Sequence, residues 1–359
     1  MNITHGGSVV HWMIGTPIRQ VRLPRLANEF FKRTGRDEVL VPMEVHADGL
    51  APALALYAAA SNAGGLISTL PHKGRLAGLV DACSPRAALT GMVNTVRKEA
   101  GRLVGDMLDG AALAAALRQR AVDLRGRRAV VLGCGGFGSA AAFELLAAGA
   151  QTLVLVEVDV ARATRLAQRL DAHFGAGRVR VRGPWRGPEP GHDPDLADAQ
   201  LLVQASPAGM HRDGELALDA AEALPCDLDA LQGLEFLVDA VTGPATALMR
   251  AARTRGLGVL GGDKIAAAQL PLVLDFWCAP GVACSSSASP AVPELSATPA
   301  RSAGCAGYAP PPSPPPEARL LSAARVSPGR RATGPPPTGQ PVPTEPNQAG
   351  QPIQPETHR

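Results

Sequence analysis

Six residues, Gly133-Cys-Gly-Gly-Phe-Gly138, set the tightest limit on what this chain can fold into. They follow the apolar run Arg128-Ala-Val-Val-Leu132 and precede a helix-like stretch from Ser139 to Ala148. A buried strand, a tight glycine turn and a helix N-terminus bring backbone N–H groups and the positive end of the helix dipole up to a pyrophosphate, where a side chain would block the approach. Such a loop can also be a tight turn without a ligand, and here the next strand decides for binding. Thr152-Leu-Val-Leu-Val156 is followed by Glu157, 24 residues after Gly133, where a carboxylate can accept hydrogen bonds from both ribose hydroxyls of an adenosine. The pattern predicts a dinucleotide, NAD or NADP, held by Gly133, Gly135, Gly136, Phe137, Gly138 and Glu157. NAD is favoured, because Glu157 would repel a 2′-phosphate.

The rest of the chain fits an α/β frame. Runs rich in β-formers at His11–Ile14, Glu38–Pro42, Gly65–Leu70 and Met92–Val96 alternate with helical stretches at Pro24–Arg33 and Ala51–Ala60, a rhythm that predicts a mostly parallel sheet covered by helices. Further strands are expected at Arg128–Leu132, Thr152–Val156, Val179–Val181, Gln200–Gln204 and Glu235–Asp239. Between two of these, Val160–Phe174 carries an apolar stripe of Ala163, Leu166, Leu170 and Phe174 at helical spacing. The expected architecture has two domains. Residues 1–110 form an N-terminal α/β substrate domain, completed by helices within 244–278, and residues 111–243 form a Rossmann-like dinucleotide-binding domain.

From Pro280 the composition changes, with 19 of the 33 prolines lying in residues 280–359. A segment of this kind buries too little apolar surface to offset its chain entropy, so 279–359 is expected to be a disordered Pro-rich tail. A net charge of +3 gives no support to a polyanion partner such as nucleic acid. No apolar run reaches the ~20 residues that a membrane span needs. The six cysteines show no C-x-x-C spacing, and no His, Cys and carboxylate cluster has metal-ligand spacing, so no metal is expected and the compartment is read as cytoplasmic.

Several short segments converge on one resemblance. Gly15-Thr-Pro-Ile18 followed by Pro24, Thr69-Leu-Pro-His-Lys73, Gly91-Met-Val-Asn-Thr95, Gly105-Asp-Met-Leu-Asp-Gly110, the glycine turn, Gln204-Ala-Ser-Pro-Ala-Gly-Met210 and Gln269 occur in an order and spacing that resembles the shikimate dehydrogenase family over residues 9–277. The resemblance implies hydride transfer between a nicotinamide cofactor and a ring hydroxyl or ketone of a small cyclic hydroxy acid. It implies that Lys73 and Asp109 are the catalytic pair, that Thr69, Asn94 and Gln269 bind the substrate ring, and that Ser206, Pro207, Met210 and Gly262 join the cofactor residues. Alcohol oxidation needs a positioned proton acceptor, which makes the pair chemically sensible. A homodimer stays open.

The departures concern recognition. The family pattern has two serines that hold the substrate carboxylate where this chain has Val21 and Leu23. If the segment is extended, these two share a face and Arg22 points away. Either Arg19 or Arg22 then carries the anion, or shikimate is not the preferred substrate. Ile67, Gln204 and Thr242 also replace polar residues usual in the family, and Val158 stands where phosphate-binding members carry Arg. A quinate or related cyclitol carboxylate dehydrogenase is the enzymatic alternative. A non-catalytic paralogue that senses cofactor or ring acid is the alternative of another class, disfavoured because a sensor needs no proton shuttle.

Overall fold

A computed structural model of the chain describes residues 4–184, 194–210 and 226–278; the Pro-rich stretch from 279 lies outside the described residues. The N-terminal part runs β1 (Val9–Gly15), α1 (Leu23–Thr34), β2 (Glu38–Glu44), α2 (Leu50–Ala59), β3 (Ala63–Ser68), α3 (Lys73–Ala77), β4 (Ala82–Cys83), α4 (Pro85–Thr90), β5 (Thr95–Glu99), β6 (Arg102–Asp106) and α5 (Asp109–Gln119). Its sheet has the order β2-β1-β3-β5-β6-β4. β1 pairs in parallel with β2 and β3, as the alternating rhythm predicts. Beyond β3 one strand reverses: β5 is antiparallel to β3 and, across a hairpin, to β6, while β4 pairs with β6 in parallel, so the sheet is mostly parallel as expected, with β5 as its reversed strand. Ala100 and Gly101 close that hairpin with φ of 48° and 77°, the left-handed pair that suits a two-residue connection. Ala-Gly is not the usual signal for such a turn, and the charged side chains of Arg97, Lys98 and Glu99 mask the strand.

The second part continues with β7 (Arg128–Leu132), α6 (Gly136–Ala147), β8 (Thr152–Val156), α7 (Val160–Phe174), β9 (Val179–Arg182), α8 (Pro194–Ala197), β10 (Leu201–Gln204), β11 (Phe236–Asp239), α9 (Ala247–Thr254), β12 (Gly258–Gly261) and α10 (Gly262–Trp277). Every pairing in its sheet, β12-β11-β10-β7-β8-β9, is parallel. The five strands expected from the sequence are present, and β12 is an additional strand whose four residues are flanked by two helices. α7 forms where its stripe predicts, with Asp159 accepting the Arg162 N–H as its cap and Ala163, Leu166 and Leu170 buried. Strand order reverses between β7 and β10, the point at which open α/β sheets bind ligands beyond their carboxyl ends.

Two helices join the halves. α5 packs on α6 and α10, and its Ala112, Leu113, Ala116 and Leu117 enter the core under the second sheet. α10 buries Ile265 and Ala268 in that same core, and Val273, Leu274 and Trp277 against the first sheet. Trp277 donates to Thr95 Oγ1 at 3.0 Å and stacks on His11, which fixes the far end of α10. α9 does not return to the first sheet as expected; Leu248, Met249 and Ala252 pack against the second.

Candidate active site

A cleft of about 750 Å³ opens at the switch point, lined by Thr69, Lys73 and Gln269 on one side and by the glycine turn and Ser206 on the other. Lys73 starts α3 directly after β3 and its Thr-Leu-Pro-His connection, and Asp109 is the first residue of α5. That position places the carboxylate at the positive end of the helix dipole. Lys73 Nζ donates to Asp109 Oδ2 at 2.5 Å, while Asn94 Nδ2 and Gln269 Nε2 donate to Oδ1 at 2.6 and 2.8 Å. Three segments therefore hold one carboxylate, and Lys73 and Gln269 stand between it and the open cleft.

Asn94 differs from the expectation that it meets the substrate ring. It is buried, it is not among the lining residues, and its Oδ1 accepts the Leu108 N–H at 2.8 Å while its Nδ2 is on Asp109. Its amide locks the start of α5 rather than facing the cavity. His72 is likewise buried, with Nε2 donating to Val45 O at 2.6 Å, so it ties the Lys73 loop to the chain after β2.

Across the cleft, α6 begins with no side-chain cap, so its first N–H groups face the cavity, and a Cβ added at Gly135 would meet nothing within 4 Å. That opening suits a pyrophosphate on a helix N-terminus. Gly133, with φ of +90°, makes the turn, and a Cβ at Gly138 would lie 1.8 Å from Gly133 O, so Gly138 serves the close packing of helix on strand and does not line the cleft. A Cβ at Gly136 would lie 2.7 Å from Lys73 Cδ: the stem of Lys73 runs across the glycine turn itself, a contact the sequence gives no hint of.

Glu157 lines the cleft with its carboxylate accepting the Cys134 N–H at 2.7 Å and the Asp159 N–H at 3.1 Å. A carboxylate has about four acceptor sites, so two such bonds leave room for a ribose hydroxyl. Burial pushes the Cys134 thiol up to about 12, so this loop cysteine stays neutral. Sequence reasoning missed Arg162, which also lines the cleft, 3.8 Å from Glu157 Oε2; its signal is a basic residue in the first turn of the helix after β8. Ser206, Pro207 and Met210 line the cleft, whereas Gly262 does not. Gly262 donates to Val241 O at 3.2 Å and packs so tightly that a Cβ would lie 2.4 Å from Ala240 O, which makes it a packing glycine.

The mouth corrects a second expectation. Residues 21–23 are not an extended segment: Arg22 has φ −102° and ψ −25°, and the helix begins at Leu23. Val21, Arg22 and Leu23 consequently all line the cleft, while Arg19 is exposed and does not. Arg22 Nε lies 3.8 Å from Asp263 Oδ1. Among the described residues no group of three or more His, Cys, Asp or Glu could hold a metal ion.

The profile described as Shikimate dehydrogenase substrate binding domain matches residues 13–96. The chain is 34% identical over 254 residues to a shikimate dehydrogenase (NADP(+)) of Rubrobacter xylanophilus, covering 70% of this chain and 84% of that one. Among solved structures it is similar to a shikimate 5-dehydrogenase of Listeria monocytogenes in complex with shikimate and NAD, with TM-score 0.66 and 23% identity over 78% of this chain and 94% of that one. A shikimate 5-dehydrogenase of Thermus thermophilus in complex with NADP(H) and shikimate gives TM-score 0.63 and 26% identity, covering 75% and 93%. With the ordered motifs, the cleft at the switch point and this breadth of identity in agreement, the chain belongs to the shikimate dehydrogenase family.

Proposed function

We propose that this oxidoreductase interconverts a ring hydroxyl and ketone of a shikimate-type cyclic hydroxy acid, and that it prefers NAD to NADP. The observation that carries the reaction is the Lys73–Asp109 pair at 2.5 Å, with the lysine stem lying on the glycine turn. When bound, the nicotinamide takes up the hydride that leaves the alcohol carbon. The Lys73–Asp109 pair is placed to take the hydroxyl proton as the C=O bond forms, with Lys73 passing one of its own protons on as it accepts the new one, and Asp109 holds the lysine at one angle. Gln269 reaches both the cleft and Asp109, so it can contact a ring hydroxyl without losing its own anchor. Thr69, whose N–H is held by Ile14 O at 2.9 Å, offers its hydroxyl from a fixed backbone.

Glu157 supports NAD, since a 2′-phosphate would bring negative charge against a buried carboxylate, and the exposed Val158 offers no compensating cation. Among the described residues Arg162 is the one lining cation on that side, and Glu157 and Asp159 already share it. The replacement of the carboxylate-binding serines by Val21 and Leu23 keeps quinate and related cyclitol carboxylates as the second reading. NAD(P) reduction with shikimate, quinate and related ring acids tests the activity. Higher kcat/KM with NADP than with NAD would overturn the cofactor preference. If the preference is right, Glu157→Asn with Val158→Arg moves it toward NADP.

A further inference from the structure

The wall that would hold a ring acid's charge has no hydroxyls at positions 21 and 23, but it has a guanidinium between them. We propose that Arg22 is the anion anchor of this cleft, taking the substrate carboxylate in exchange for Asp263. The proposal rests on the dehydrogenase reading above and adds to it the group that recognises the substrate's charge.

Three cationic side chains line the cleft among the described residues: Lys73, Arg162 and Arg22. Lys73 is committed to Asp109 at 2.5 Å, and Arg162 stands by Glu157 and Asp159 at the end of β8. Arg22 is the one that stands at the mouth between Val21 and Leu23, and it is held loosely. Its Nε is 3.8 Å from Asp263 Oδ1, beyond hydrogen-bond distance, and both side chains are 51% exposed. An exposed ion pair of that kind contributes little and is readily exchanged. Asp263 keeps a second partner when Arg22 leaves it, because it accepts the Gly243 N–H at 3.3 Å. The guanidinium is a planar fork that fits a carboxylate with two parallel hydrogen bonds, so one arginine can supply the two donors that a pair of serines would.

The exchange predicts effects of opposite sign at the two residues. Binding of shikimate, of quinate and of their methyl esters to the NADH-loaded full chain is measured by calorimetry, and turnover of each with NAD by initial rates. Arg22→Gln should weaken binding of the acids about 10- to 100-fold, the loss expected for hydrogen bonds to a charged group, and should remove the preference for acid over ester. KM should rise with it and kcat should change less, because an anchor remote from the reacting carbon acts on ground and transition state alike. Asp263→Asn should tighten the acids by about 2- to 5-fold, since it removes the competing carboxylate. Equal weakening of acid and ester in Arg22→Gln, unchanged acid binding in that variant, or a wild-type preference for the esters would each overturn the anchor. Arg22-dependent acid binding without any turnover would uphold the anchor and sink the dehydrogenase reading. Turnover of the esters with no binding of the acids would do the reverse, and failure of every compound to bind would remove both.

Discussion

At the floor of the cleft Asp109 accepts hydrogen bonds from Lys73, Asn94 and Gln269, whereas at the mouth Arg22 has one carboxylate 3.8 Å away and two apolar neighbours. The floor is a closed set in which the polar groups that share Asp109 come from α3, the approach to β5, α5 and α10, so no member can move without unpairing another. A satisfied buried network of this kind fixes geometry, which is what proton transfer requires. The mouth has spare bonding capacity, which is what recognition of an incoming charge requires. On the proposed function this difference puts chemistry and substrate choice in separable parts of the cleft, and substitutions should divide accordingly.

The sharpest way to break the comparison is at Lys73. Lys73→Ala should lower kcat by about 10²–10⁴-fold, the usual contribution of a positioned acid–base group, with NAD affinity nearly unchanged by titration. Lys73→Ala combined with Asp109→Ala should be little worse than the poorer single variant, because members of a catalytic unit are strongly non-additive. Turnover of Lys73→Ala at the wild-type rate would detach the floor from the chemistry.

Next in size is Leu23, which separates lining from packing. Leu23 lines the mouth but is only 2% exposed and belongs to the core with Ala27 and Phe31. Leu23→Ser should therefore cost about 2–5 kcal/mol of stability, read as a shift of the denaturation midpoint, because it removes buried carbon from a packed site and adds a hydroxyl there. A midpoint within experimental error of wild type would show that the side chain belongs to the cavity and not to the core.

Asn94 tests whether the floor is one unit. Asn94→Ala strands the Leu108 N–H and withdraws a donor from Asp109, so it should cost about 1–3 kcal/mol of stability and reduce kcat more than it raises KM for the ring acid. A change confined to KM would restore Asn94 to direct ring contact.

These two regions were not equally legible in the sequence. The glycine turn and the strands of the second sheet are legible because each is a local pattern, an apolar run or a turn residue before a helix start, whereas Lys73 and Asp109 stand out only through the ordered set of motifs that carries the family resemblance. Arg22 could not be placed, because Pro24 tolerates the first helical turn and lets α1 begin at Leu23, which swings Arg22 from the expected far side into the cleft. Asn94 and Gly262, which the resemblance assigns to ligands, have tertiary partners that spacing along the chain does not encode, Leu108 and Asp109 in one case and the backbone of 240–241 in the other. The contact of Lys73 with Gly136 joins residues of the two sheets, and no spacing along the chain encodes it. β12 and the β5–β6 hairpin were missed for a simpler reason, since a four-residue strand and a charged one carry too little periodicity.

The smallest expected effect lies at Val21, and it couples the two halves of the argument. Val21 is half-buried, lines the mouth and packs only at the edge of the core, so Val21→Ser adds a hydroxyl to the cleft while removing a few contacts with that edge. In the wild-type background Arg22 already pairs the carboxylate, so the new hydroxyl adds one bond to a satisfied anion and should lower KM for a ring acid by only about 2- to 3-fold, less than a full charged hydrogen bond gives. In the Arg22→Gln background the carboxylate has lost its principal donor, and the same hydroxyl should recover about 10-fold. The double-mutant cycle therefore predicts coupling between residues 21 and 22 for the acids and none for their methyl esters. Equal gains in both backgrounds would mean that Val21 and Arg22 face different groups on the substrate, and the mouth would then have to be divided into two subsites rather than one.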